Sequence, residues 1–185
     1  MRHLEHSLEE VAAATSKRLI IVRTNVRTHH FFKSVSWERT HGAALASLGH
    51  VLSDTLSQLV IASSYRYDDE HPWGSNWRLD PLWSSGRMTV LHDDATLGRQ
   101  GKTRQIAGHE LVQRHLQVCW SRHSATGNCG ECEKCIRMMV TLASLTRLED
   151  FTVFPRSIPL PQLIDALAPL SPHLHPIWAR LRQEP

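Results

Sequence analysis

No apolar run in these 185 residues approaches the roughly 20 needed to span a bilayer. The first ten residues, MRHLEHSLEE, are too polar for a secretory leader, so the expected compartment is the cytoplasm and no membrane partner is expected. Runs of basic residues are missing too, because 21 Lys and Arg are interspersed with 18 Asp and Glu for a formal net charge of +3. That balance permits an anionic ligand without calling for nucleic acid. There is no internal repeat and no low-complexity segment. Cysteine is scarce, with four in the chain, yet three of them fall within seven positions of GNCGECEKCIRMM, residues 127–139.

The scarcity of punctuation elsewhere leaves a readable order of elements. Leu4, Leu8, Val11 and Ala12 recur at helical spacing, and LIIV at 19–22 reads as a short buried strand. Residues 37–56 place Ala44, Leu45, Leu48, Val51, Leu52 and Leu56 on one helical face with Ser36 as N-cap. QLVIASS and MTVLH read as two further strands, TRQIAGHELVQRHL as helix broken at Gly108, and LQVCW as a last strand. IRMMVTLASLTRL is a strong apolar helix, and two short helices, LPQLIDALAPL and HPIWARLRQ, follow it. Strands that alternate with helices and read as continuous apolar runs predict an α/β fold, a parallel sheet covered on both faces. One domain over 1–150 and a helical tail over 151–185 are expected.

Cys119, Cys129, Cys132 and Cys135 give the spacing C-x9-C-x2-C-x2-C. In a reducing compartment such a cluster is a metal or redox site rather than a disulfide framework. Four thiolates satisfy tetrahedral Zn2+, two-residue gaps let successive sulfurs converge, and Gly130 suits the tight turn between them. An iron–sulfur cluster is the nearest competitor, but those sites place the fourth cysteine downstream, whereas here it lies upstream. A closed four-cysteine set leaves no open coordination position, so the zinc is expected to be structural.

That spacing, with CGECEKC followed by IRMM, resembles the zinc site of the 7-cyano-7-deazaguanine synthases, members of the PP-loop ATP pyrophosphatase superfamily. The resemblance covers residues 5–145 and implies a Rossmann-like parallel sheet with flanking helices. It places Arg39 and Thr40, near the start of a helix leading into a strand, in a nucleotide or substrate pocket. GKTRQI resembles the element that precedes the zinc site in the family, with Lys102 as the matching residue, and Asp80 joins the pocket set. The family uses ATP to adenylate a carboxylate for attack by nitrogen. It cradles ATP with an S-G-G-x-D-S loop, whereas this chain has nine glycines and no two adjacent. On the resemblance the sheet is incomplete and its N-terminal strands are missing. An N-terminal segment or separate chain would complete it, and ATP with Mg2+ would bind only then, beside a small-molecule substrate. The alternative reading is a non-enzymatic zinc-stabilised binding module for a partner protein or nucleic acid.

Three further signals compete with blander readings. TLGRQGKT at 96–103 imitates a Walker A loop but has Thr where the pattern needs its first Gly. The paired acids, DDE at 68–70 and Asp93–Asp94, suit Mg2+ or a solvated loop, and His29, His30 and His41 suit a second metal or a surface. Trp73, Trp77 and Trp83, interleaved with Arg78 and Asp80, offer a stacking platform or pack over a sheet edge.

Overall fold

The computed structural model describes residues 2–69, 71–119, 127–145, 147–167, 169–170 and 174–183. The chain divides into two compact units, one formed by residues 1–19 with 100–185 and the other by residues 20–99.

The central unit is built on helix α3 (Trp37–Val51) and two parallel strands, β1 (Gln58–Ala62) and β2 (Thr89–Asp93), in register from Gln58 opposite Thr89 to Ala62 opposite Asp93. A short helix, α2 (His30–Ser34), precedes them. Ile61, Val90, Met88 and Ala46 form the core of this unit, with Leu56 and Leu59 packed against it. The helix lies close because its inward side is small. A side chain at Gly42 would come within 2.0 Å of the Gly74 carbonyl oxygen, and one at Gly49 within 2.9 Å of Leu59. The connection from β1 to β2 runs through residues 63–88 and, among its described residues, carries only a 3-10 turn, Asp80–Trp83, where parallel crossovers usually carry a helix.

Several expectations are corrected here. Residues 19–22 form no strand, and Ile20, Ile21 and Val22 are exposed. The sheet among the described residues has two strands rather than four and is covered on one face, since Val60 and Leu91 of the other face stand exposed. An apolar run becomes a buried strand only where a ladder partner and a covering layer exist, and residues 19–22 have no ladder partner. The helix from Trp37 ends at Val51, five residues early, and buries Gly42, Ala44, Ala46 and Gly49 while Leu45 and Val51 face outward. Ser36 is the N-cap residue, but its side chain makes no capping bond.

The other unit gathers α1 (Arg2–Ala14), α4 (Arg99–Ile106), α5 (Glu110–His115), α6 (Glu133–Ser144), α7 (Leu160–Asp165) and α8 (His175–Gln183). The break between α4 and α5 falls at Gly108, with the His109 ring capping the second helix through the Leu111 amide at 3.2 Å. Helix α1 meets α5 through Ser7 and His115, whose ring Nδ1 lies 2.9 Å from the Ser7 hydroxyl. The core centres on α6, where Cys135, Ile136 and Leu142 are almost wholly buried, and Phe151, Phe154 and Leu163 from beyond residue 150 pack into it. Trp178 of α8 donates its indole N–H to Glu133 at 2.9 Å, and the same carboxylate pairs with Arg137. Residues 116–119 form no strand, and Trp120 of the expected LQVCW strand lies outside the described residues. No helix among the described residues is long and apolar enough to cross a membrane.

Candidate metal centre

The four cysteines come from two short segments that the fold brings together. Cys119 ends the stretch after α5, while Cys129 and Cys132 form the turn that leads into α6, with Cys132 as its N-cap and Cys135 in its first turn. Gly130 makes this turn possible. Its φ of +79° lies in the left-handed region that favours glycine, and Pro155 packs 3.1 Å from where a side chain would begin.

A tetrahedral ion with Zn–S bonds of about 2.3 Å holds its sulfurs about 3.8 Å apart. The sulfur of Cys119 lies 3.5 Å from that of Cys129 and 3.7 Å from that of Cys132, and Cys129 lies 3.9 Å from Cys135. All four sulfurs lie within 4.8 Å of one another. These separations are far beyond the roughly 2.05 Å of a disulfide, and all four cysteines are free thiols. They also leave no room for the inorganic core of a multi-iron cluster, so the set fits a single tetrahedral ion.

The electrostatics of Cys129 differ from those of Cys132 and Cys135. Burial opposes ionisation of Cys129, but hydrogen bonds from the Cys132 and Glu131 backbone and from the neighbouring thiols outweigh it, and its pKa falls from 9.0 to about 7. Burial pushes Cys132 and Cys135 upward, and in Cys135 the adjacent Cys132 adds to the rise. Asn128 organises the approach of the two segments and is a residue that the cysteine spacing did not reveal. It is almost fully buried, its Oδ1 accepts the Val118 and Cys119 amides at 3.0 and 3.2 Å, and its Nδ2 donates to the Leu116 carbonyl at 2.7 Å. A polar residue directly before the first cysteine of the turn is the only signal the sequence carries for it.

The remaining expected site residues are placed as follows. Arg39 and Thr40 lie in the first turn of α3, where their backbone packs against Gly74, and the Thr40 hydroxyl donates to the Ser36 carbonyl at 3.0 Å. Asp80 belongs to the same unit and is wholly buried, with Oδ1 facing Gly42. Lys102 lies within α4, in the other unit. Neither Gly98 nor Gly101 has a positive φ, so the Walker-like segment forms no glycine nest and its GKT is ordinary helix. Trp73 and Trp77 line a cleft of about 270 Å³, and Trp83 does not. Among the described residues the four cysteines are the one group of converging metal-type ligands, so His29, His30, His41, Asp93 and Asp94 gather no second site, and Glu70 of the DDE run lies outside the described residues.

Comparison of the chain with protein-family models, with curated proteins and with solved structures gives no match. The arrangement defines a mixed α/β protein with a small parallel sheet and a four-cysteine cluster that could hold a metal ion such as zinc.

Proposed function

We propose that the chain is a zinc protein in which Cys119, Cys129, Cys132 and Cys135 hold one structural ion, and that it is a PP-loop ATPase-like protein similar to the 7-cyano-7-deazaguanine synthases. The observation that carries the metal reading is the sulfur geometry, with three separations of 3.5 to 3.9 Å bracketing the tetrahedral value and all four sulfurs within 4.8 Å of one another. A bound zinc ion would cross-link the two segments and supply folding free energy, with no open position for substrate. The protein's own residues prepare that site: Asn128 fixes the Cys119 backbone, Gly130 turns the chain, and the first turn of α6 presents Cys135.

The family reading draws on the cysteine spacing and on the order helix, strand, loop, strand, helix and cysteine turn. In it Arg39, Thr40 and Asp80 of the central unit and, separately, Lys102 of α4 are given nucleotide- or substrate-binding roles, within a Rossmann-like sheet that an additional segment or chain completes. ATP and Mg2+ would then take part in adenylating a carboxylate. The lack of adjacent glycines favours a second reading, in which the chain is a zinc-stabilised binding module with no turnover of ATP.

Elemental analysis of the purified protein tests the metal reading directly. One zinc per chain is expected, together with a sharp fall in melting temperature on chelation or in Cys132→Ala. Absence of zinc, or iron with visible absorbance, would overturn it. Calorimetric titration with ATP and Mg2+ separates the two functional readings. Saturable binding supports the ATPase-like one, and no binding at millimolar ATP supports the module.

A further inference from the structure

A buried polar cluster in the central unit lies outside the metal centre and ties the crossover loop to β2. Asp80 is 0% exposed, and its Oδ2 accepts the Ser75 hydroxyl at 2.6 Å and pairs with His92 Nδ1 at 2.7 Å. Its other oxygen, Oδ1, is buried with no hydrogen-bond partner. An ionised carboxylate only accepts, so beside it His92 Nδ1 carries the proton, and Nε2 of a ring with that one proton is a lone-pair acceptor. Among the described residues no hydrogen bond engages Nε2, and His92, its side chain 3% exposed, is one of the residues lining the cleft with Tyr65, Trp73 and Trp77. This cleft is formed by the long loop leaving the carboxyl end of β1, and His92 lies near the carboxyl end of β2, where open parallel sheets bind their ligands.

Stability alone gives no reason to keep this cluster. A buried carboxylate with one oxygen unpaired is costly, and apolar residues of the same shape would serve packing as well or better. A carboxylate that fixes the tautomer of an imidazole, while the second ring nitrogen meets a cleft, is the arrangement a general base requires.

We propose that Asp80 and His92 form a proton-transfer centre, in which His92 Nε2 accepts a proton from the N–H or O–H of a planar ligand seated in the aromatic cleft. The ligand's N–H or O–H bond breaks, its electron pair stays on the ligand atom, and the proton moves to Nε2. The imidazolium so formed faces the Asp80 carboxylate. His92 is the reacting residue, and Asp80 and Ser75 position it. The cleft sets the ligand class by its walls. Its volume of about 270 Å³ suits one ring or a fused pair. Tyr65 and Trp73 meet edge to face at 5.4 Å, Arg78 lies 4.7 Å over the Trp77 ring, and Arg66 is held in a two-pronged pair by Asp68. Edge-to-face rings and guanidinium groups already engaged favour a flat ring over a phosphate. The proposal does not depend on the metal centre or on ATP.

The test uses the zinc-loaded full chain with 15N-labelled histidine rings and two probes, 2-pyridone and N-methyl-2-pyridone, which differ in the N–H. His92 is expected as the Nδ1–H tautomer, with 2-pyridone shifting its ring resonances saturably and the N-methyl probe binding about tenfold more weakly or worse, as loss of a buried donor–acceptor pair requires. Acylation of His92 Nε2 by diethyl pyrocarbonate, mapped by peptide mass, should slow by about tenfold or more in Asp80→Asn, where the tautomer is no longer enforced. Gly86→Ala, outside the cluster and with nothing within 4 Å of the added Cβ, should keep the reactivity, and a wild-type circular dichroism spectrum of Asp80→Asn separates loss of positioning from loss of fold. If Asp80→Asn does not fold, the wild-type tautomer and the probe pair decide. An Nε2–H tautomer, an inert His92, equal response to the two probes, or no response to either would overturn the proposal.

Discussion

Two backbone groups in the Cys129–Cys132 turn already favour Cys129 as a thiolate, so this residue sets how the centre responds to protons. Its folded-state pKa, about 7, lies below the ordinary 9.0, so the stability it contributes to the metal-free chain is present above about pH 9 and is lost as pH falls through about 7. Cys132 and Cys135 shift the other way and hold their protons more tightly. Zinc needs every sulfur deprotonated, so its affinity must fall as pH drops. Below about pH 7 Cys129 adds one more proton to those the metal must displace. A plot of log affinity against pH, from competition with a chelator between about pH 6 and 8, should therefore steepen on its acid side. A flat plot, or one of constant slope, would contradict this assignment.

At the scale of elements, small residues carry more than their apolarity suggests. Gly42 lies in mid-helix, where alanine would ordinarily gain about 1 kcal/mol in helix propensity. Its position forbids that gain, because a Cβ would come within 2.0 Å of the Gly74 carbonyl oxygen and 3.1 Å of Asp80 Oδ1. Gly42→Ala should therefore destabilise by about 1 to 3 kcal/mol. Gly86→Ala, with nothing within 4 Å, is the matched control. Urea unfolding of the two variants checks the pair, and a Gly42→Ala protein as stable as wild type would show that α3 can move away from Gly74. The same contrast explains what could be read in advance. The cysteine spacing, β1, β2, the break at Gly108 and the α6 helix were legible because local pattern determines them. Residues 19–22, the face of α3 and the Asp80–His92 pair were not, because each depends on which distant segment lies opposite. LIIV is as apolar as QLVIA but has no ladder partner, and nothing in the spacing of Asp80 and His92 announces a bond between them.

At the scale of the whole chain, each compact unit carries its own core, and the metal centre belongs to only one of them. Cys119 and Cys135 are members of the α6 core with Ile136, Leu142, Phe151 and Phe154, whereas the sheet core draws on Ala46, Ile61, Met88 and Val90. Removal of a zinc ion held by this set would leave four thiols crowded within 4.8 Å with nothing to bind them together, so the loss of free energy would fall first on the segments they join. Local opening follows local stability, and amides report it one by one. Hydrogen exchange after chelation should therefore accelerate most at the amides of Glu133–Ser144, with a smaller change at Gln58–Ala62 and Thr89–Asp93. Cys132→Ala should reproduce the pattern without a chelator, which excludes an effect of the reagent on the sheet. Equal acceleration in α6 and in both strands would mean that the chain opens as one cooperative body, and the metal would then support the sheet as directly as it supports its own core.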